Sequence, residues 1–253
     1  MTPAPYADQL RELRADLVMP EWVARARGIE VGRHPRRVVE LYPTGRSRRR
    51  VPVSLVGFSE KDLEGTPGSR ERRSRWPNRE AARRSVLREA AALSVVRYLL
   101  KVSADRWEYR GTKRARRTVW GERWYQRERR RYREAVREAG GAPDAEAWPD
   151  EFLGMSGTQV DPVAVAVELD AGKTDPELAG ERFVAWVRRG PYEGLVWVSL
   201  VRGQAERVAL VLDRVNQKEL GFYRPVLVLY LSAGWVEGRP RLEEVYRRET
   251  RDV

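Results

Sequence analysis

Four residues in the C-terminal half have the types and spacing to do chemistry on a phosphodiester: Asp150, Glu168, Asp170 and Lys173. Asp150 follows Pro149 at the entry of an apolar stretch, EFLGM. Glu168 and Asp170 close a second stretch, VAVAVELD, and residues i and i+2 of an extended strand point to one side. If the two stretches pair as a hairpin, Asp150 or Asp161 comes beside Glu168. Carboxylates converging at strand ends suit Mg or Mn, and such an ion activates water against a phosphodiester. On this reading Asp150, Glu168 and Asp170 are metal ligands and catalytic residues, and Lys173 stabilises the developing charge. The alternative is structural. Glu-x-Asp is common at strand ends, Asp161 before Pro162 makes a turn, and Asp175 caps a helix.

Composition removes other chemistries. Cysteine is absent, which leaves no disulfide framework, thiolate nucleophile or sulfur-built zinc site. His34 is the sole histidine, so His-based triads and multi-His metal sites are excluded; its place among arginines predicts a solvated or phosphate-facing ring. Gly172-Lys173-Thr174 has the ending of a phosphate-binding loop, but Val167 stands where the first glycine belongs, and nucleotide binding is rejected. The start, MTPAPYADQLREL, lacks a basic and an apolar signal region, and the apolar runs are too short to span a bilayer. No membrane is expected, and the cytoplasm is the expected compartment.

Charge is divided along the chain. Net charge is +12, yet residues 1–140 hold 35 Lys and Arg against 18 Asp and Glu, while residues 141–253 hold 14 against 19. A one-sided basic excess attracts polyanions, and the change of sign suggests two parts with different tasks. The expected partner is nucleic acid, duplex DNA first, gripped by Arg33, Arg36, Arg37, Arg48, Arg49, Arg50, Arg129 and Arg130. RNA remains open, since arginines do not by themselves distinguish A-form from B-form targets. A homodimer is a further possibility.

The elements that must position these groups follow from periodicity. Leu10, Leu13 and Leu17 give helical spacing, and PEWVARARG reads as a short helix with Pro20 in its first turn and Gly28 at its end. Read as a helix, residues 32–41 put Val38, Val39 and Leu41 inward and Arg33, Arg36 and Arg37 outward. The competing reading makes GIEV and RRVVELY strands of a small sheet with solvated arginines. Pro35 tells against the helix unless it falls in the first turn. RRRVPVSLVGF alternates like a strand, so a basic hairpin or wing follows. Residues 58–78 are polar and Gly/Pro/Ser-containing, as in a linker. A helix is predicted over 79–100, a hairpin around Gly111, and a basic, aromatic-bearing helix over 121–139. The C-terminal half reads as a hairpin turning near Gly154 to Gly157, a helix over 174–189, the strand LVWVSLV, the helix QAERVALVLDRVNQ and the strand PVLVLYLSAGWV. That order is an α/β layout with a mixed sheet, and its near-continuous apolar strands imply cover on both faces.

PEWVARARGIEVGRHPRRVVELYPTG, with its small residue, glycine and following apolar residue, resembles a winged helix-turn-helix. Pro149-Asp150 and Glu168-Leu169-Asp170 resemble the two motifs of the PD-(D/E)XK nuclease fold, except that Asp170 stands where the lysine belongs. Lys173, Arg182 or Arg189 are the basic residues that could substitute for it in space. VAVAVELDAG, with Glu168, Asp170 and Gly172, together with RWYQRERRRY, resembles the plasmid replication-relaxation family, a winged helix followed by a degenerate nuclease-like domain. The resemblance implies an α+β protein: a winged-helix-like DNA-binding domain at 1–57, a linker at 58–78, and a helical lead-in with a nuclease-like α/β domain at 79–253. It implies DNA binding in plasmid or mobile-element replication or relaxation. A metal-dependent endonuclease and a winged-helix transcriptional regulator are the rival expectations.

Overall fold

Proline and glycine set the first boundaries of the chain. In the computed structural model, which describes residues 13, 18–57, 84–102, 116–119, 151–156, 163–189, 192–218 and 224–248, a short strand β1 (Val18–Pro20) runs into helix α1 (Glu21–Ala26). Pro20, with φ −56°, occupies the cap position, where a missing N–H costs nothing. The helix ends where the sequence predicts. Gly28 takes φ 74°, its N–H reaches the Arg25 carbonyl at 3.0 Å, and the Ile29 N–H reaches the Ala24 carbonyl at 2.9 Å. This paired closure needs a left-handed residue, which glycine adopts without a Cβ clash.

The next segment departs from the predicted recognition helix. Residues Val31–Arg33 make one 3-10 turn, and Arg36–Leu41 form strand β2. His34 is extended, with φ −118° and ψ 152°, because the ring of Pro35 disfavours the helical region in the residue before it. The β-branched pair Val38-Val39 then favours a pleated strand. Val38, expected inward, is 70% exposed; His34, expected in solvent, is buried. β3 (Val51–Gly57) follows, and the sheet order is β1-β3-β2 with both pairings antiparallel. Thus the predicted strand and basic hairpin are present. The winged-helix reading loses its second helix at residues 32–41.

Two compact units divide the chain: Met1–Tyr98 with Ala233–Pro240, and Leu99–Ser232 with Arg241–Val253. Helix α2 (Arg84–Val102) carries the boundary and matches the helix expected over 79–100. Within the first unit, the one-turn segment Ala233–Glu237 packs against β3 and buries Trp235. Trp235 is fully buried, its Nε1 donates to the Pro43 carbonyl at 3.0 Å, and its own carbonyl accepts from Trp22 Nε1 at 3.0 Å.

Glu21 ties α1 to the sheet. Ser54 Oγ donates to its Oε2 at 2.7 Å, and Arg25 donates to Oε1. The Ser54 hydrogen bond, then that of Arg25, with the charges of Arg25 and Arg36 helping, holds the carboxyl below its ordinary value of 4.5 despite partial burial. A depressed folded-state pKa gives stability that is complete above the ordinary value and is lost as pH falls through the folded one. The melting temperature of the native protein is therefore expected to fall more steeply on acidification below about pH 4.5 than that of Glu21→Gln. Parallel curves in thermal melts would contradict this anchoring.

The second unit is built on a six-stranded sheet of order β4-β5-β6-β7-β8-β9. β4 (Arg116–Val119), β5 (Glu151–Ser156) and β6 (Val163–Asp170) run antiparallel; Gly154, expected near the turn, pairs inside β5 with Ala164. α3 (Pro176–Arg189) leads to β7 (Tyr192–Ser199), and α4 (Arg202–Lys218) leads to β8 (Val226–Leu231), with β6, β7 and β8 parallel. β9 (Leu242–Arg248) closes the edge antiparallel. Asp175 caps α3, its Oδ1 accepting from the Glu177 N–H at 3.0 Å. One face of the sheet buries Ala166, Leu195, Trp197, Val226 and Val228 in a core with Phe183, Trp186 and Leu212 of the helices. The opposite residues, Val165, Val167, Val196, Val198, Leu227 and Leu229, are buried as well, so both faces are covered as the apolar strands predict. The architecture is α+β, with one antiparallel and one mixed sheet. Among the described residues no helix is long and apolar enough to cross a membrane.

Candidate functional site

Residues 18–57 hold nine arginines against three glutamates, and the β2–β3 hairpin concentrates them. Its connection, YPTGRSRRR, is fixed by its own side chains. Thr44 Oγ1 accepts from the Arg46 N–H at 3.2 Å and lies 3.0 Å from Ser47 Oγ, while the Ser47 N–H meets the Thr44 carbonyl at 3.4 Å. Arg46, Arg48, Arg49 and Arg50 stand exposed around this turn. Arg50 is laid over Tyr42: its Nε donates to the Tyr42 hydroxyl at 3.0 Å and its guanidinium carbon is 5.2 Å from the ring centre. Glu40 lies 3.9 Å from Arg50. Among the described residues no carboxylate pairs with Arg46, Arg48 or Arg49, so three positive charges at the tip are uncompensated. Arg33 is exposed but pairs with Glu30, and Arg36 and Arg37 are exposed along β2.

The second cluster lies at the carboxyl ends of β6 and β7. Asp170 is buried, and both its oxygens are engaged. Oδ1 accepts from the N–H groups of Gly172 (2.8 Å), Lys173 (3.1 Å) and Thr174 (3.1 Å), and Oδ2 accepts from Ser199 Oγ at 3.2 Å. This carboxylate organises the loop into α3. Gly172 makes the fold-back possible: it takes φ 91°, and a Cβ there would lie 2.4 Å from Val201 Cγ2. Gln204, buried in the first turn of α4, donates to the Thr174 carbonyl and accepts from Arg207. Glu168, 7% exposed, turns toward α3, where Arg182 Nη1 donates to its Oε1 at 2.9 Å. The Arg182 side chain is itself only 17% exposed, so the pair is largely removed from water.

Comparisons with protein-family models, curated proteins and solved structures find no match. Of the basic residues named as substitutes for the missing lysine, Arg182 meets Glu168. Lys173 is exposed, and its contact with Asp170 is through the backbone. Glu168 and Asp170 share a strand; the first meets Arg182, the second Ser199 and the N–H groups of the loop. Asp150 lies outside the described residues, as do Arg129, Arg130, the helix expected over 121–139 and the linker expected at 58–78. The strand that begins at the next residue, β5, sets Glu151 opposite Val167. Among the described residues no three Asp, Glu or His side chains gather to hold a metal ion.

Three residues that shape these clusters are not marked in the sequence. Tyr42 shelves Arg50, Ser199 completes the shell of Asp170, and Gln204 locks the loop to α4. A signal existed only for the second cluster. Asp170-Ala-Gly172 is a turn-forming sequence in which an Asp side chain bonds backbone N–H groups just ahead of it.

Proposed function

We propose that this chain is a DNA-binding protein that grips duplex backbone with the arginine tip of the β2–β3 hairpin. It would act in plasmid or mobile-element replication or relaxation, as the resemblance of its sequence implies. The observation that carries the reading is the set of exposed guanidiniums of Arg46, Arg48 and Arg49, with no carboxylate paired to them among the described residues, on a turn held by internal hydrogen bonds. Two-stranded antiparallel ribbons fit a DNA groove, and a pre-ordered tip loses little entropy on docking. Arg33, Arg37 and Arg50 extend the basic surface. With Arg46, Arg48 and Arg49 all changed to alanine, affinity for a labelled duplex at about 0.15 M salt is expected to drop on the order of 100-fold. The slope of log K against log salt should become shallower by about 3, since each phosphate contact contributes about 0.9. Fluorescence anisotropy across a salt series checks both. An unchanged slope would refute the placement, and equal loss on duplex RNA would move the target class.

A second reading is a metal-dependent nuclease in which Asp150 and Glu168, with Asp170, hold Mg or Mn. Two features support it: a mixed sheet in which the β5–β6 hairpin feeds a parallel crossover, and a basic side chain, Arg182 rather than Lys173, on Glu168. The full engagement of both Asp170 oxygens favours the binding reading over this one.

A further inference from the structure

β2 is an edge strand: in the sheet order β1-β3-β2, β3 is its sole partner among the described residues. Which of its backbone groups face outward follows from the ladder. The Gly57 N–H donates to the Pro35 carbonyl at 3.1 Å, so that pair uses its inward groups. Alternation along an antiparallel ladder then turns the N–H and C=O of Arg36, Val38 and Glu40 away from β3. Pro52, which has no N–H, sits opposite Glu40, as this alternation requires. The side chains of the same three residues share one face, and all are exposed. Exposed edges of this kind invite pairing with another chain.

We propose that β2 pairs antiparallel with β2 of a second copy of this chain, in a register centred on Val38, making a two-fold homodimer through a continuous sheet. In that register Arg36 of each copy lies opposite Glu40 of the other, and Val38 lies opposite Val38. Every outward N–H and C=O of the three residues gains a partner. The order Arg, Val, Glu on alternate residues is thus self-complementary about its centre, with opposite charges at both ends and an apolar contact between them. Val38, 70% exposed, is covered by the same contact. The register leaves Arg46, Arg48 and Arg49 clear of the seam, so one dimer presents two basic tips related by a two-fold axis.

Charge reversal tests both the seam and its register. Sedimentation equilibrium of the full chain is expected to show a dimer for the native sequence. Glu40→Arg or Arg36→Glu, each alone, sets like charges opposite one another twice, and self-association should weaken about tenfold to a hundredfold. Mixed in equal amounts, the two variants are complementary at both ends and should form a heterodimer of near-native affinity. Circular dichroism and thermal melts check that each variant is folded, since Arg36 also lies in the field of Glu21. A native protein that stays monomeric at about 100 µM would overturn the proposal. So would a dimer indifferent to both single changes, or variants whose mixture fails to restore association.

Discussion

Trp235→Ala is expected to lower the stability of the first unit by about 3–5 kcal/mol, although residue 235 lies far along the chain from the strands it supports. The reason is packing and hydrogen bonding together. The indole is fully buried on a segment that packs against β3, and its removal opens a cavity that a dense core fills only in part. It leaves the Pro43 carbonyl without the indole N–H that it accepts, a buried loss of about 1–3 kcal/mol that the total already includes. Trp235→Phe separates the two contributions, since it keeps most of the volume and removes the donor. Urea unfolding followed by backbone hydrogen exchange gives the test. Protection should fall across β1, β2 and β3 and persist in β6, β7 and β8. A loss under about 1 kcal/mol, or one confined to the second sheet, would show that Trp235 does not hold the first unit together.

The same residue shows where sequence reasoning stops. Nothing near Trp235 in the chain indicates that it packs beside Trp22, 213 residues earlier; such pairings come from the tertiary fold. Elements with strong local patterns were readable. VAVAVELD and VLVLYL are strands, and QAERVALVLDRVNQ is a helix, because apolar period and length agree there. β9 was missed because LEEVYRR is a half-exposed edge strand whose burial scarcely alternates. RRVVEL fitted a helix and a strand equally by its apolar positions, and the residue that decides between them is Pro35, through its effect on His34. In the acidic cluster, the spacing of Glu168 and Asp170 places them on one strand, as β6 does. Their partners were not legible, since Ser199 and Arg182 reach them across a strand pairing and a helix crossover.

The pairing of Glu168 with Arg182 carries the other large effect. Arg182→Ala should destabilise the second unit by about 3 kcal/mol, the lower end of the range for breaking a buried pair, because the arginine keeps some contact with water. The cost is chiefly that of leaving the Glu168 carboxylate in a poorly solvated place, not the attraction lost. Replacing both, Glu168→Gln with Arg182→Met, should therefore recover much of the loss, and a double-mutant cycle measured in urea should return a coupling of more than about 1 kcal/mol. Additive effects would place the two side chains apart. The cycle also bears on chemistry. A carboxylate already neutralised by Arg182 has little need of a divalent ion, so the native protein should melt at the same temperature with and without Mn. In Arg182→Ala, Glu168 has lost this cation, and Mn should become stabilising. Stabilisation of the native protein by Mn, together with cleavage of supercoiled DNA that Glu168→Ala abolishes, would instead favour the nuclease reading and assign Arg182 to a working site beside the metal.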